Sequence, residues 1–268
     1  MSPKSRLSRR PLAALSLLAA ISLTLAACGG PSLPALTDPT EIVTAGLKST
    51  ESARSVHLEL TLEGSINADL TGGGGPATSF PLTGTTASAD VDMAGGKARA
   101  TFAVPAFLNL SGELIQIGTT SYVKTSLSGP LYETQQATDA LPVDPTNATA
   151  IFDGLGDLLL ADGVDPVKGA DVDCGGKSCY TVMIELTADE LAALGAPAPG
   201  AGELPIDLGA ASLVLTVRVE KDTYRLAGIA AVITLGEQGS LTLDLTMSKW
   251  DQPTDISPPP PDQIKPAS

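Results

Sequence analysis

Cys174 and Cys179 enclose Gly175-Gly176-Lys177-Ser178, and that spacing limits what the two thiols can do. A redox pair would have two residues between its cysteines, and a metal site would need further ligands, whereas His57 is the only histidine in the chain. In a compartment where thiols oxidise, the pair reads as a disulfide closing a tight loop. So short a loop has little closure entropy to remove, and the bridge is expected to fix a hairpin end more than to stabilise the whole fold. His57 falls on the polar side of an alternating segment with no nucleophile or ligand cluster around it, and is expected to be an exposed strand residue. Gly72-Gly73-Gly74-Gly75-Pro76 lacks the Gly-Lys-Ser/Thr ending of a phosphate cradle and reads as a loop or lip. There is no Gly-x-Ser-x-Gly elbow, and Asp38, Asp144, Asp189 and Asp222 stand at turns and helix starts, where capping accounts for them. No catalytic residue, metal or cofactor is expected, although carboxylates distant in sequence can meet in three dimensions.

The remaining thiol, Cys28, has a different setting. Residues 1–10 carry Lys4, Arg6, Arg9 and Arg10 with no acid, and the apolar run behind them is interrupted by Ser16, Ser22 and Thr24. That is a signal peptide rather than a spanning helix. Its end, Leu25-Ala26-Ala27-Cys28, resembles the bacterial lipobox, in which the thiol is alkylated by diacylglycerol before the leader is cut off. The alternative is an ordinary cleavage after small residues that leaves Cys28 as an incidental thiol. On the lipobox reading residues 1–27 are a leader, Cys28 is the lipid anchor and residues 28–37 are a flexible tether. Each buried methylene contributes about 0.8 kcal/mol, so two or three acyl chains hold a protein at a membrane almost permanently. The rest of the chain is then expected outside the bilayer, on the extracytoplasmic face of the cell membrane.

The formal charge of the chain is −14, and losing a cationic leader makes it more acidic still. Nothing in that balance favours nucleic acid or anionic lipid as an electrostatic partner. A hydrophobic content of 43% excludes general disorder, while 3% aromatic leaves an interior of Leu, Val, Ile and Ala. That argues against stacking on sugar rings and is compatible with binding flexible aliphatic chains.

Two periodicities organise the chain. A helix is expected from Asp38-Pro39-Thr40-Glu41, with Asp38 as cap and Ile42, Val43, Leu47 and Ala53 as an apolar stripe. A second follows Asp144-Pro145 with Ile151, Phe152, Leu155, Leu158, Leu159 and Leu160, interrupted by Gly154 and Gly156; a third, opened by Thr187-Ala188-Asp189-Glu190, holds Leu191 and Leu194. Elsewhere the period is two. Val56, Leu58, Leu60 and Leu62 alternate with His57, Glu59, Thr61 and Glu63, and a hairpin turns at Gly95-Gly96 between the Ala89 to Met93 and Ala98 to Val104 runs. Strands are expected over 108–117 and 120–127, and again at Tyr180 to Leu186. The segments Leu213 to Val219, Ile229 to Leu235 and Leu241 to Met247 form a meander with one continuously apolar face, after which Pro258-Pro259-Pro260-Pro261 opens a tail, 258–268, that cannot pair in a sheet.

The expected class is therefore α+β: a large curved antiparallel sheet wrapped over several helices. With so little aromatic bulk to fill the space between them, an aliphatic cavity follows as an inference. The candidate lining set is Ile42, Val43 and Leu47, Ile151, Leu155, Leu158 and Leu159, and Leu191 and Leu194. Each of these taken singly also fits ordinary packing against the sheet.

The order of elements, the lipobox, and above all Val217-Arg218-Val219-Glu220-Lys221-Asp222-Thr223-Tyr224-Arg225-Leu226 with Lys249-Trp250-Asp251-Gln252-Pro253 resemble the actinobacterial LppX/LprAFG lipoproteins, related in fold to LolA and LolB. The resemblance covers most of residues 38–257 and implies a single LolA-like half-barrel domain with a hydrophobic cavity. It implies a carrier that moves acylated lipids or glycolipids across the envelope, and an envelope transporter is a candidate further partner. The glycine run and the Cys174 to Cys179 pair depart from the family pattern. A non-enzymatic surface, signalling or assembly module with a packed core is the alternative, and an enzyme is the least supported reading.

Overall fold

The computed structural model describes residues 33–68, 78–136, 156–161, 163–193 and 208–266. The expected leader, Cys28, the Gly72 to Gly75 run, most of the helix expected after Asp144, and Leu194 lie outside the described residues. From Ala35 onward the chain forms one compact unit.

Among the described residues the chain forms thirteen strands: β1 (Ser55–Ala68), β2 (Thr78–Pro81), β3 (Thr85–Asp92), β4 (Lys97–Val104), β5 (Leu110–Ile117), β6 (Thr120–Thr125), β7 (Glu133–Gln136), β8 (Val167–Lys168), β9 (Val172–Asp173), β10 (Ser178–Leu186), β11 (Ala211–Glu220), β12 (Leu226–Leu235) and β13 (Gly239–Ser248). They make one open sheet in the order β7-β6-β5-β4-β3-β1-β13-β12-β11-β10-β8, with β2 on β1 and β9 on β10, and every ladder is antiparallel. The register places Leu58 opposite Met247, Leu60 opposite Leu245 and Leu62 opposite Leu243, while on the other side of β1 Leu58 and Leu60 face Ala89 and Ala87. Because side chains alternate, these residues share one face, called the inner face below. Gly64 and Gly239 allow the backbones of β1 and β13 to close on each other. A Cβ on Gly64 would lie 2.1 Å from the Ser240 carbonyl oxygen, and one on Gly239 would lie 2.2 Å from that of Ser65.

Helices are few. Helix α1 (Pro39–Glu51) begins as expected, the Glu41 amide donating to Asp38 Oδ1 at 2.8 Å, and it packs on β10, β11 and β12. Residues 156–159 are helical, and α2 (Ala188–Ala193) opens on a reciprocal capping box. The Glu190 carboxylate accepts from the Thr187 amide at 2.7 Å while the Glu190 amide donates to Thr187 Oγ1 at 3.4 Å. The expected wrapping of the sheet over several helices thus reduces, among the described residues, to one helix of 13 residues and two short segments.

Two expectations are corrected. His57 is not an exposed residue: its side chain is 13% accessible, with Nδ1 2.7 Å from Asp90 Oδ1 across the strand pair. The tail does reach the sheet. Its prolines, lacking amide hydrogens, join no ladder, but Ile264 beyond them bridges Tyr132 in parallel. There the Tyr132 amide donates to Gln263 and the Lys265 amide to Tyr132, both at 2.8 Å.

Candidate functional site

The inner face divides into two zones. Beneath α1, Ile42, Val43, Leu47 and Leu159 join Val182, Ile184, Leu215, Val217, Val219 and Leu226 in one buried apolar cluster. The helix can come this close because Gly46 faces the sheet. A Cβ there would lie 3.0 Å from a Val219 methyl and 3.1 Å from a Leu226 methyl. Polar ties hold the same contact: Ser49 Oγ donates to the Tyr224 carbonyl at 2.6 Å, the Leu36 amide donates to the Tyr180 hydroxyl at 3.0 Å, and Trp250 Nε1 donates to the Leu226 carbonyl at 3.0 Å. Ile42 and Val43 are fully buried, so this zone is filled by its own side chains.

Farther across the sheet, the inner-face residues Leu58, Leu60, Leu62, Ala87, Ala89, Ala100, Phe102, Leu243 and Leu245 are only half-buried. They form a continuous apolar surface over β13, β1, β3 and β4, fixed by the registers Leu245 to Leu60 to Ala87 to Phe102. A shallow groove of about 580 Å³ also runs beside α1, between Leu47 and the Gly156 to Leu160 segment, with Lys48, Glu51 and Asp157 at its rim.

The opposite, outer face is polar and mostly self-paired. A groove of about 790 Å³ lies over Arg218, Glu220, Thr246 and Ser248 beside the Cys174–Cys179 disulfide. Lys177 meets Glu220 at 2.7 Å, Arg218 meets Asp244 at 2.8 Å, and Arg225 pairs with Asp251. Its room is ample, but an acyl chain entering it would desolvate these ion pairs. On β5 to β7 of the same face, Glu113 accepts from the Tyr132 hydroxyl at 2.6 Å and pairs with Arg99 and Lys124. Burial pushes the Glu113 carboxyl up, yet the bonds from Tyr132, Arg99 and Lys124 outweigh it and hold the group below its ordinary value. The lysine is held above its usual value, first by its bond to Tyr132. These charges brace the sheet where Ile115, Tyr132 and Ile256 form a second small apolar cluster under the tail.

Of the residues singled out from sequence, Ile42, Val43, Leu47 and Leu159 are brought together, and Leu158 and Leu191 pack against the same cluster. Ile151, Leu155 and Leu194 lie outside the described residues. The half-buried sheet residues Leu58, Leu60, Leu243 and Leu245 were not among the candidates, although strict alternation marked every one of them as inner. Cys174 and Cys179 are disulfide-bonded, at the turn where β9 meets β10. No described helix is long and apolar enough to cross a membrane, and no described group of His, Cys, Asp and Glu residues is placed to hold a metal.

An open antiparallel sheet with one apolar face and a helix laid on its C-terminal strands is a fold this chain shares with two solved mycobacterial proteins. LprF from Mycobacterium bovis superposes with a TM-score of 0.55 at 21% identity, over 86% of this chain and 99% of that one. The Mycobacterium tuberculosis lipoprotein LppX superposes with a TM-score of 0.50, also at 21% identity, over 82% of this chain and 100% of that one. No protein-family model and no curated protein matches the sequence.

Proposed function

We propose that the chain is a membrane-anchored, non-enzymatic carrier that takes up acylated lipids or glycolipids on its apolar inner face and moves them across the cell envelope. The observation that carries this reading is the half-buried zone, where Leu58, Leu60, Leu243 and Leu245 present one aliphatic surface. Drawing an acyl chain out of a bilayer costs about 0.8 kcal/mol per methylene unless another apolar surface receives it. Aliphatic side chains on a one-sided sheet are such a surface, and the Ile42, Val43, Leu47, Leu158, Leu159 and Leu191 cluster walls it at one end. Ile151, Leu155 and Leu194 are proposed to complete that wall. The fold shared with LprF and LppX supports the reading, and the lipobox at Cys28 supports attachment to the extracytoplasmic face of the membrane, where an envelope transporter would deliver cargo.

One observation favours a second reading, a surface or assembly module with a filled core: the zone beneath α1 is packed solid. Mass spectrometry of organic extracts from protein purified without detergent separates the two. The carrier yields lipid in stoichiometric amount and moves labelled lipid between vesicles. Absence of both would replace the carrier with the module.

A further inference from the structure

Beyond β4 and β5 the sheet ends in an apolar tip that the core does not use. The turn between these strands carries Phe107 and Leu108, 58% and 77% exposed, and the turn after β6 carries Leu127, 60% exposed. The two turns are tied to each other and to themselves. The Ser126 amide donates to the Ser111 carbonyl at 2.8 Å, the Ser111 amide to Ser126 Oγ at 3.1 Å, and the Leu110 amide to the Phe107 carbonyl at 2.8 Å. Leu108 sits at φ 53°, in the left-handed region where a bulky side chain is disfavoured, as does Asn109, which tolerates it. A leucine strained in this way and left in water gains nothing from the packing of its own chain. Its residue type points to a contact outside the molecule.

The chemistry of the surroundings selects the contact. Residues 102–112 and 125–132 contain no Asp, Glu, Lys or Arg, in a chain whose formal charge is −14. Beside the tip, Ser111, Thr125 and Ser126 share one surface with Phe102 and with Glu113 and Lys124, whose charges pair with each other at 3.4 Å. A protein partner is commonly registered by complementary charges at the rim, and Glu113 and Lys124 beside this tip are already paired with each other. A bilayer interface instead favours apolar side chains within an uncharged, hydrogen-bonding border, because desolvating a charge there is the main cost. The tip also terminates the inner apolar row, since Ala98, Ala100, Phe102 and Val104 climb β4 towards it.

We propose that Phe107, Leu108 and Leu127 insert into the bilayer interface and set the end of the apolar inner row against the membrane lipid. The insertion stands on the tip alone, and the alignment rests on the carrier reading. The test uses the full chain with Cys28 acylated, carrying an environment-sensitive fluorophore at L108C, L127C or, at the opposite end of the sheet, D222C. On vesicles of phosphatidylcholine, with or without phosphatidylglycerol, emission at Leu108 and Leu127 should shift to the blue and be quenched by lipids spin-labelled in the acyl chain, while emission at Asp222 stays unchanged. Labels at the tip that remain in water on both kinds of vesicle overturn the insertion and leave a protein partner for this surface. The F107S/L108S/L127S chain should keep its thermal midpoint and its bound lipid, yet transfer lipid between vesicles more than about tenfold more slowly, as loss of buried apolar area requires. Unchanged transfer in that variant overturns the alignment. Blue-shifted tip labels in a wild type that yields no lipid would overturn the carrier reading and sustain the insertion.

Discussion

The two zones of the inner face are built from the same residue types at the same spacing, yet one is sealed and the other is not. Under α1, Val217 and Val219 of β11 are fully buried, whereas Leu60 of β1 and Leu243 of β13, alternating just as regularly, remain half-buried. What distinguishes them is the helix, which lies on β10, β11 and β12. Gly46 brings the helix axis down onto Val219 and Leu226, while Leu58, Leu243 and Leu245 pack against the margin of that cluster and stay half-buried. A periodicity of two therefore fixes which face is apolar, and the cover decides whether that face is core or surface.

The comparison can be broken most severely beneath the helix. Ile42→Ala should destabilise the fold by about 3 kcal/mol, the range for truncating a buried aliphatic side chain, as read from denaturant midpoints. Gly46→Leu should cost about 2 kcal/mol by wedging α1 away from Val219, and near-ultraviolet circular dichroism of Trp250 and Tyr180 should report the displacement. If the second zone is a receiving surface, Leu243→Ala there should cost only about 1 kcal/mol, since little is buried, while lowering recovered lipid severalfold. Equal stability losses for Ile42→Ala and Leu243→Ala would erase the distinction between the zones.

The smallest effect lies on the outer face. The Glu113 carboxyl is held below its unfolded value by Tyr132, Arg99 and Lys124 against the opposing pull of burial. Its contribution to stability is therefore complete above the unfolded pKa and is lost as pH falls through the lower, folded one. Glu113→Gln should lower the melting temperature slightly at neutral pH and flatten its decline in acid. A decline as steep as that of the wild type would place the acid sensitivity elsewhere.

Local signals were legible where local physics suffices. The Asp38 cap, the Thr187 to Glu190 capping box, the β3–β4 hairpin and the three-strand meander from β11 to β13 all stand where residue spacing puts them. The short strands β2, β7, β8 and β9, of four residues or fewer, carry too little pattern to be seen. His57 reads as exposed along its own strand, because Asp90, which takes up its Nδ1, arrives only with the pairing of β1 and β3. The candidate lining residues all stand on expected helices, although the alternation of β1 and β13 carries the same apolar signal.

What this sequence determined unaided is the longer elements and the side of each that shuns water, since both follow from periods of two and 3.6 along a short stretch of chain. The tertiary structure alone decided which leucines are covered, that Gly46 sets the helix against Val219, that Ile264 returns to Tyr132, and that Phe107, Leu108 and Leu127 share one end of the sheet. Those outcomes depend on partners brought together by pairing register and chain return, and a local repeat carries no information about them.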